Sequence, residues 1–171
     1  MKRRLENMFK VQLLHPDAKV PTVAHPGTDI GFDLYSIEDV LLPPGVPVRV
    51  RTGIAVEGPP GWGFILGDRS SMAMRGVTYA GGRIDAGYRG ELLICLINVN
   101  QPVPRLNVSR DRQGIIQDVQ LEYTDAHIAI TKGDKIIQMS PFQAMTQGEI
   151  EVVSELSSAD RGAKGFGSSG R

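Results

Sequence analysis

Several short stretches of this sequence combine residue types that could bind a phosphate group. In "GDRSSMA", Arg69 precedes two hydroxyl side chains, Ser70 and Ser71, where a short helix is expected to begin. A guanidinium group and the free N–H groups of a helix N-terminus both attract anions. The same residues fit an ordinary serine N-cap, so this stretch predicts either an anion site or a plain helix start.

Two acidic residues lie in settings that could serve catalysis. In "GGRIDAGYRG", Asp85 lies between two turns, with Tyr88 three residues later and glycines that let a ligand approach the backbone. In "GFDLYS", Asp33 is flanked by apolar residues at the expected start of a strand. A positioned carboxylate can act as a general base or hold a hydrated cation. The alternatives are a β-hairpin with Asp85 in its turn and a strand that begins at Asp33.

The C-terminal stretch "RGAKGFGSSG" has the glycine density of loops that wrap phosphates with backbone N–H groups. It is not a Walker A loop, because the GK[ST] order is absent. Arg161 and Lys164 add positive charge, and Phe166 could stack on a base. We interpret this stretch as an arm that closes over a nucleotide, with a simple frayed end as the alternative.

The elements that must position these residues are mostly short strands. Apolar and polar residues alternate with period two in "VPVRVRTGIAVEG", "AHIAI" and "GEIEVV", and "ELLICLINVN" is typical of a buried strand. In "GWGFILG", Trp62, Phe64 and Leu66 lie on one side of the predicted strand, with glycines on the other. "KGDKIIQM" is expected to be a hairpin turn entering a strand, with Gln138 on one face. Only "RSSMAMRG" predicts a helix, a short one with Ser70 or Ser71 as its N-cap. The pattern predicts an all-β protein of many short strands, which could form a β-sandwich, a distorted jelly roll or a barrel.

We expect one β domain over residues 1–153, interrupted by an insert at about 101–126. The insert is polar and separates two clear strand patterns. It therefore predicts a long excursion, with a small hairpin as one option, and excursions of this length are often functional. Residues 154–171 are rich in glycine and serine and form the predicted flexible arm.

Composition excludes several classes of protein. Lys and Arg together number 19, as do Asp and Glu, so no net charge attracts nucleic acid or an anionic membrane. The single cysteine, Cys95, cannot form an intramolecular disulfide, and its apolar neighbours predict a buried, unreactive thiol. The basic N-terminus lacks the apolar run of a signal peptide, and no run is long enough to cross a bilayer. These features predict a cytoplasmic protein that binds neither nucleic acid nor membrane.

Taken in order, "GFDLYS", "DRSSMA", "GGRIDAGYRG", "GDKIIQM" and "RGAKGFGSSG" resemble the five motifs of the trimeric dUTP pyrophosphatase (dUTPase) family, and they extend from residue 31 to 170. The resemblance implies a jelly-roll-like homotrimer that hydrolyses dUTP to dUMP and pyrophosphate with Mg²⁺. This activity keeps uracil out of DNA and supplies dUMP for thymidylate synthesis. The resemblance also implies that three subunits build each site: one supplies the first, second and fourth motifs, another the third motif, and the last the tail.

The resemblance also implies roles for individual residues. Asp85 matches the general base that activates a water for attack on the α-phosphate. Asp33 matches an acid that orients magnesium-bound waters, while the triphosphate itself holds most of the ion. The implied substrate contacts are of three kinds: phosphate contacts from Arg69, Ser70, Ser71 and Gln138; uracil and deoxyribose contacts from Gly82, Ile84 and Tyr88; and arm contacts from Arg161, Phe166, Gly167 and Ser168.

The sequence departs from the family's pattern in two places. Arg83 stands where the family more often has an aliphatic residue, and the insert at 101–126 is longer than the usual connection between the third and fourth motifs. Some phage-encoded members resemble this chain in carrying such an insert. The resemblance therefore implies a phage or prophage origin and a regulatory protein partner that binds the insert.

Two other functions are compatible with parts of the pattern. A dCTP deaminase has a related fold and an "RSS" stretch, but it needs a catalytic Glu where this chain has Ile94, Cys95 and Leu96. A binding protein that captures a regulator through the insert is the alternative from another class, and it is compatible with catalysis.

Overall fold

The computed structural model describes residues 9–144, 148, 150–155, 157 and 158. Over these residues the chain forms short β-strands and one helix of five residues, so the predicted all-β class with one short helix is confirmed. The elements, in chain order, are β1 Lys10–Leu13, β2 Phe32–Tyr35, β3 Val40–Leu42, β4 Pro47–Arg51, β5 Ile54–Glu57, β6 Trp62–Gly67, α1 Ser70–Met74, β7 Val77–Ala80, β8 Arg83–Ile84, β9 Leu93–Asn98, β10 Pro104–Arg110, β11 Ile116–Tyr123, β12 Ile128–Ile130 and β13 Lys135–Gln143.

Two antiparallel sheets carry most of the fold. One has four strands in the order β2-β13-β6-β8, and the other has three in the order β4-β9-β7. The pairs β1-β5 and β3-β12 form separate two-stranded sheets. Each strand has an apolar face because its residues alternate, and both sheets contribute to a single hydrophobic core, with Leu34, Leu66 and Met139 from the first and Val50, Ile94 and Leu96 from the second.

The outer face of the four-stranded sheet carries the polar residues of three motifs. Asp33 on β2 lies opposite Gln138 on β13, which in turn lies opposite Gly67 on β6. Further along the same face, Ile65 lies opposite Arg83 on the edge strand β8. Because residues that pair across strands share a face, the first, second and fourth motifs meet here.

Two expected hairpins are instead connections between sheets. The turn around Asp85 joins β8, which pairs with β6, to β9, which pairs with β4 and β7. The "KGD" turn joins β12, paired with β3, to β13, paired with β2 and β6. The turn signals were correct, but the assumption that consecutive strands pair was wrong, since a sandwich often sends the next strand to the other sheet.

Three local expectations were also wrong. β9 is buried only on the Ile94 and Leu96 face, and Cys95 on the other face is half-buried. Within "GEIEVV", none of the described residues forms a strand, and Ile150 is 94% exposed, because an extended segment needs a partner strand to be stabilised. The N-cap of α1 is Arg69, whose side chain makes no capping hydrogen bond, and Ser70 is already helical.

The predicted insert contains a hairpin of its own. Strands β10 and β11 pair antiparallel, and every one of their residues is exposed. At its base, the N–H of Val103 bonds the hydroxyl of Thr124 at 2.9 Å, and the N–H of Thr124 bonds the carbonyl of Val103 at 2.9 Å. The buried amide of Asn98 donates to the carbonyl of Ala126 at 2.6 Å, which ties the hairpin to the core.

Within the described part of the chain, no helix is long and apolar enough to cross a membrane.

Candidate active site

Asp33 is the centre of a buried polar cluster. The residue is 3% exposed, although its carboxylate is charged. Its Oδ2 accepts a hydrogen bond from Nζ of Lys135 at 2.7 Å. Its Oδ1 accepts from Nε of Arg69 at 3.3 Å and from Nε2 of Gln138 at 3.2 Å. Residues from the first, second and fourth motifs are therefore in direct contact.

Glycine makes this contact possible. A Cβ on Gly31 would lie 3.1 Å from Cβ of Gln138, closer than side chains normally approach, so a larger residue here would displace the amide. The "GF" that precedes Asp33 thus lets Gln138 reach the carboxylate. Gly31 therefore occupies this position because the neighbouring strand packs too closely for a larger side chain.

The electrostatics of the cluster favour an ionised Asp33. Burial by itself works to raise the pKa of this carboxyl, but the hydrogen bonds from Lys135 and Gln138 and the charges of Lys135 and Arg69 outweigh it and lower the pKa. The same contact with Asp33 raises the pKa of Lys135. One negative and two positive charges leave the cluster net positive, as a phosphate site requires.

The two serines of the second motif, Ser70 and Ser71, lie at the exposed start of α1, and only Ser71 bonds to Arg69. Arg69 donates a hydrogen bond from Nη1 to the hydroxyl of Ser71, so its guanidinium links that serine to Asp33. Ser70 and Ser71 are both exposed at the start of α1. A helix of five residues adds little dipole, so the positive charge here comes from Arg69 and Lys135.

The third motif lines a different cavity, of about 190 Å³. Its walls come from β8, the turn that follows and the start of β9, and include Arg83, Ile84, Asp85, Tyr88, Glu91 and Leu93. Asp85 is exposed at the cavity, and its carbonyl accepts the N–H of Tyr88 at 3.0 Å. The Tyr88 ring is 44% exposed, and its hydroxyl donates to the carbonyl of Glu91 at 2.9 Å.

The two groups of motif residues lie on one sheet but do not meet. Within residues 9–144, no hydrogen bond or ion pair joins the Asp33 cluster to the Asp85 turn. Strand β6 lies between them: Gly67 pairs with Gln138 on one side, and the N–H of Leu66 bonds the carbonyl of Gly82 at 2.8 Å on the other. Arg161, Phe166, Gly167 and Ser168 of the predicted arm lie outside the described residues.

Sequence reasoning missed three residues: Lys135 of the Asp33 cluster, Glu91 at the third-motif cavity, and Arg51, which binds Glu91. Lys135 was missed because strict alternation puts residues 135 and 138 on opposite faces, and an irregularity in register between Lys135 and Ile137 brings both to Asp33. Arg51 and Glu91 were missed because they are far apart in sequence, and only the fold joins them.

The Asp33 cluster fits a hydrated cation better than a directly bound one. Over the described residues, no group of three or more Asp, Glu, His or Cys side chains could hold a metal ion. A carboxylate has about four acceptor positions, of which Asp33 uses three, so it can still accept a hydrogen bond from a metal-bound water. This single acceptor would serve a hydrated Mg²⁺ that is carried by an anionic ligand, because Mg²⁺ retains several of its waters in protein sites.

A sequence model of the family "dUTPase" matches residues 17–107 and 103–170 of this chain, and so almost its whole length. The chain belongs to the dUTPase family. It is similar to the deoxyuridine 5'-triphosphate nucleotidohydrolase of Thermobifida fusca, with 38% identity over 94% of this chain and 78% of that protein. The corresponding protein of Solibacter usitatus is also 38% identical, over 95% of this chain and 96% of that protein.

Solved structures of phage dUTPases share the fold. The Staphylococcus bacteriophage 80alpha dUTPase with dUpNHpp superposes with a TM-score of 0.77, at 32% identity, over 96% of this chain and 99% of that one. The dUTPase from phage phi11 of S. aureus, described as visualising a species-specific insert, gives a TM-score of 0.70 at 30% identity over 90% and 100%. A phage origin for this dUTPase remains a prediction, since the sequence relatives named above are bacterial.

Proposed function

We propose that this protein is a dUTP diphosphatase, which hydrolyses dUTP to dUMP and pyrophosphate in the cytoplasm. The observation that carries the proposal is the contact of Asp33 with Arg69, Lys135 and Gln138, which gathers three of the family's motifs into one net positive cluster. A triphosphate is the highly charged anion that such a cluster suits. The 38% identity to relatives named for this activity supports the same substrate.

Hydrolysis at the α-phosphate needs a positioned water and a base. Asp85 takes a proton from the water while the water oxygen bonds to the α-phosphorus. The bond from that phosphorus to the bridging oxygen breaks at the same time. Pyrophosphate leaves with the bond's electron pair, and Asp85 returns its proton to solvent. Arg69, Ser70, Ser71 and Gln138 hold the phosphates against this displacement.

Mg²⁺ held by the triphosphate would neutralise phosphate charge during the reaction. Asp33 would accept hydrogen bonds from the waters of that ion at the acceptor position that Lys135, Arg69 and Gln138 leave open. A phage phi11 dUTPase structure is described as revealing the coordination of a structural Mg(II) ion. When the ion is bound, Asp33 would orient it through its waters.

The cavity of the third motif selects uracil and deoxyribose. Ile84 lies on the edge strand β8 and Gly82 directly precedes it, and the outward backbone groups of this edge can pair with the edge of a base. The carbonyl of Gly82 already accepts the N–H of Leu66, so the outward groups belong to Arg83 between Gly82 and Ile84. Tyr88 packs under the deoxyribose and leaves no room for a 2′-hydroxyl.

Three copies of the chain complete each site. Asp33 and Asp85 lie in separate groups within one chain, and the family resemblance assigns them to different subunits of a homotrimer. The arm residues Arg161, Phe166, Gly167 and Ser168 then close over the nucleotide from another subunit, with the ring of Phe166 on uracil.

The experiment is pyrophosphate release with Mg²⁺, with dUTP, dCTP, dTTP and UTP offered separately to the trimer. We expect turnover of dUTP alone, because the cavity checks the base and the sugar. Equal turnover of UTP would contradict the role of Tyr88. No turnover of any nucleotide by a folded trimer would contradict the enzymatic function.

A regulatory protein partner for the insert is a second proposal. The paired residues Leu106 and Leu121, and Val108 and Val119, put apolar side chains on one face of the β10–β11 hairpin. Leu106 and Leu121 are 68% and 57% exposed, and an isolated two-stranded hairpin is only marginally stable in water. Structures of the 80alpha dUTPase are described in terms of control of the transfer of virulence genes, which supports a regulatory contact here.

Removal of the hairpin separates this role from catalysis. A chain in which residues 104–123 are replaced by a short Gly-Ser linker should keep its rate of dUTP turnover and lose binding to the partner. Loss of turnover in a folded trimer would show that the insert belongs to the active site.

A further inference from the structure

Glu91 joins the third motif to a distant turn. Its carboxylate accepts hydrogen bonds from Arg51, at 3.2 Å from Nε and 3.1 Å from Nη2, and from the N–H of Gly53 at 2.9 Å. The side chain is 19% exposed. Planar two-point contact between a guanidinium and a carboxylate fixes direction as well as distance. The start of β9 is thereby attached to the connection between β4 and β5.

The connection between β4 and β5 also binds Leu92, the residue that follows Glu91. The hydroxyl of Thr52 donates to the carbonyl of Leu92 at 2.6 Å, and the N–H of Leu92 donates to the carbonyl of Ile54 at 2.8 Å. Thr52 is 1% exposed and Leu92 2%. Leu92 is therefore fixed in the core, and Glu91, the residue before it, is where the third-motif turn joins this fixed part of the chain.

Glu91 in turn holds Tyr88. The Tyr88 hydroxyl donates to the carbonyl of Glu91 at 2.9 Å, and the N–H of Tyr88 donates to the carbonyl of Asp85 at 3.0 Å. Gly90 allows this geometry, because a Cβ at that position would lie 2.5 Å from the Tyr88 hydroxyl. A continuous series of contacts thus runs from Arg51 through Glu91 and Tyr88 to Asp85.

The other anchor of the turn is weaker. Arg89 forms an ion pair with Glu57 at 3.3 Å, but the two side chains are 51% and 37% exposed. Exposed ion pairs restrain geometry little. Arg89 and Glu57 therefore provide a matched comparison for Arg51 and Glu91 within one turn.

We infer that Glu91, held by Arg51, is a positioning residue that sets the height of the Tyr88 ring in the nucleotide cavity and so the preference for deoxyribose over ribose. This inference rests on the proposed function, because it assigns Tyr88 to the sugar and Asp85 to the water. Glu91 itself contacts no substrate. Its effect passes through its main-chain carbonyl to the Tyr88 hydroxyl.

The test compares Glu91→Gln, Glu91→Ala, Arg51→Lys and Tyr88→Phe with Glu57→Gln, by kcat and KM for dUTP and UTP and by melting temperature. We expect Glu91→Ala to lower kcat/KM for dUTP by roughly tenfold to a hundredfold, the effect of a displacement of about 1 Å. The kcat/KM for UTP should fall less, so that the ratio of kcat/KM for dUTP to kcat/KM for UTP becomes smaller. Tyr88→Phe should narrow the same ratio, and Glu57→Gln should leave it at the parent value.

A purely structural role would lower the melting temperature and leave the ratio unchanged. Glu91→Gln keeps an acceptor for Gly53 and Arg51→Lys keeps the charge, so both provide folded protein if Glu91→Ala does not fold. A parental ratio in both variants overturns the inference. If the folded parent trimer turns over no nucleotide, the proposed function itself fails; if the parent hydrolyses dUTP while the Glu91 and Arg51 variants keep the parental ratio, only the inference fails.

Discussion

Nζ of Lys135 lies 2.7 Å from Oδ2 of Asp33, a carboxylate whose side chain is 5% exposed. The lysine and the aspartate are on neighbouring strands, and an irregularity in register brings the lysine to the aspartate's face. Nε of Arg69 lies 3.3 Å from Oδ1 of the same aspartate and makes the cluster net positive. The buried acid of the first motif is thus held by two basic residues from separate parts of the chain.

Replacement of Lys135 by Met should destabilise the protein and weaken nucleotide binding. We expect a loss of about 1–3 kcal/mol in the free energy of unfolding, since a buried carboxylate loses a charged hydrogen-bond donor. Urea unfolding measures this loss. Lys132→Met is the control, because Lys132 pairs with Asp17 where both side chains are largely exposed, at 49% and 40%. Equal effects from the two substitutions would contradict a special role for Lys135.

Replacement of Asp85 by Asn should separate binding from catalysis. The amide keeps the size of the side chain but cannot accept a proton, so we expect kcat to fall by about 10²–10⁴. The Kd for a non-hydrolysable dUTP analogue should stay close to the parent value. Calorimetry with the analogue and single-turnover kinetics with dUTP measure the two quantities. Full activity in this variant would remove Asp85 as the base.

Mixed trimers should show whether one site uses two chains. Arg69→Ala and Asp85→Asn should each be inactive as homotrimers. If Arg69 of one subunit acts with Asp85 of another, trimers formed by co-refolding the two variants contain some sites with both native residues and regain part of the activity. A mixture of preformed trimers is the control. No recovery after verified subunit mixing would place both residues in the site of a single chain.

The stability of the folded protein should decrease at acidic pH as the carboxylate of Glu91 becomes protonated. Burial works to raise the pKa of its carboxyl, but the hydrogen bonds from Arg51 and Gly53 outweigh it and lower the pKa below the ordinary value, which is about 4.3. The unfolded chain therefore binds more protons at mildly acidic pH, and the contribution of Glu91 is present above about pH 4.3 and lost as pH falls through the folded pKa. Glu91→Gln should melt with a shallower dependence on pH over this window. Identical slopes for parent and variant would contradict the shift.

Truncation after Ser158 should reduce turnover far more than stability. The removed residues include Arg161 and Phe166 of the predicted arm, which we expect to complete the closed site and to contribute little to the core. We expect a folded trimer with an almost unchanged melting temperature and a severe loss of kcat/KM for dUTP. A matched full-length chain with Phe166→Ala tests the ring alone. Turnover at the parent rate by the truncated trimer would refute the arm.

The sequence by itself determined the residue types, the strand periodicity and the motifs. Alternation in "GWGFILG" correctly predicted that Phe64 and Leu66 face the core, because the period of a strand is a property of the backbone. "RSSMAMRG" correctly predicted the short helix. The order of the motifs identified the family, which the match of the dUTPase family model confirms.

The tertiary structure decided which of these residues meet. Sequence could not predict that β8 and β9 join different sheets, that the irregularity near Lys135 turns it toward Asp33, or that Arg51 anchors Glu91. Strand partners depend on which apolar faces bury one another across the whole chain, and a change of one residue in register reverses the face of every later side chain. The separation of Asp33 from Asp85 within one chain is likewise a result of the sheet order.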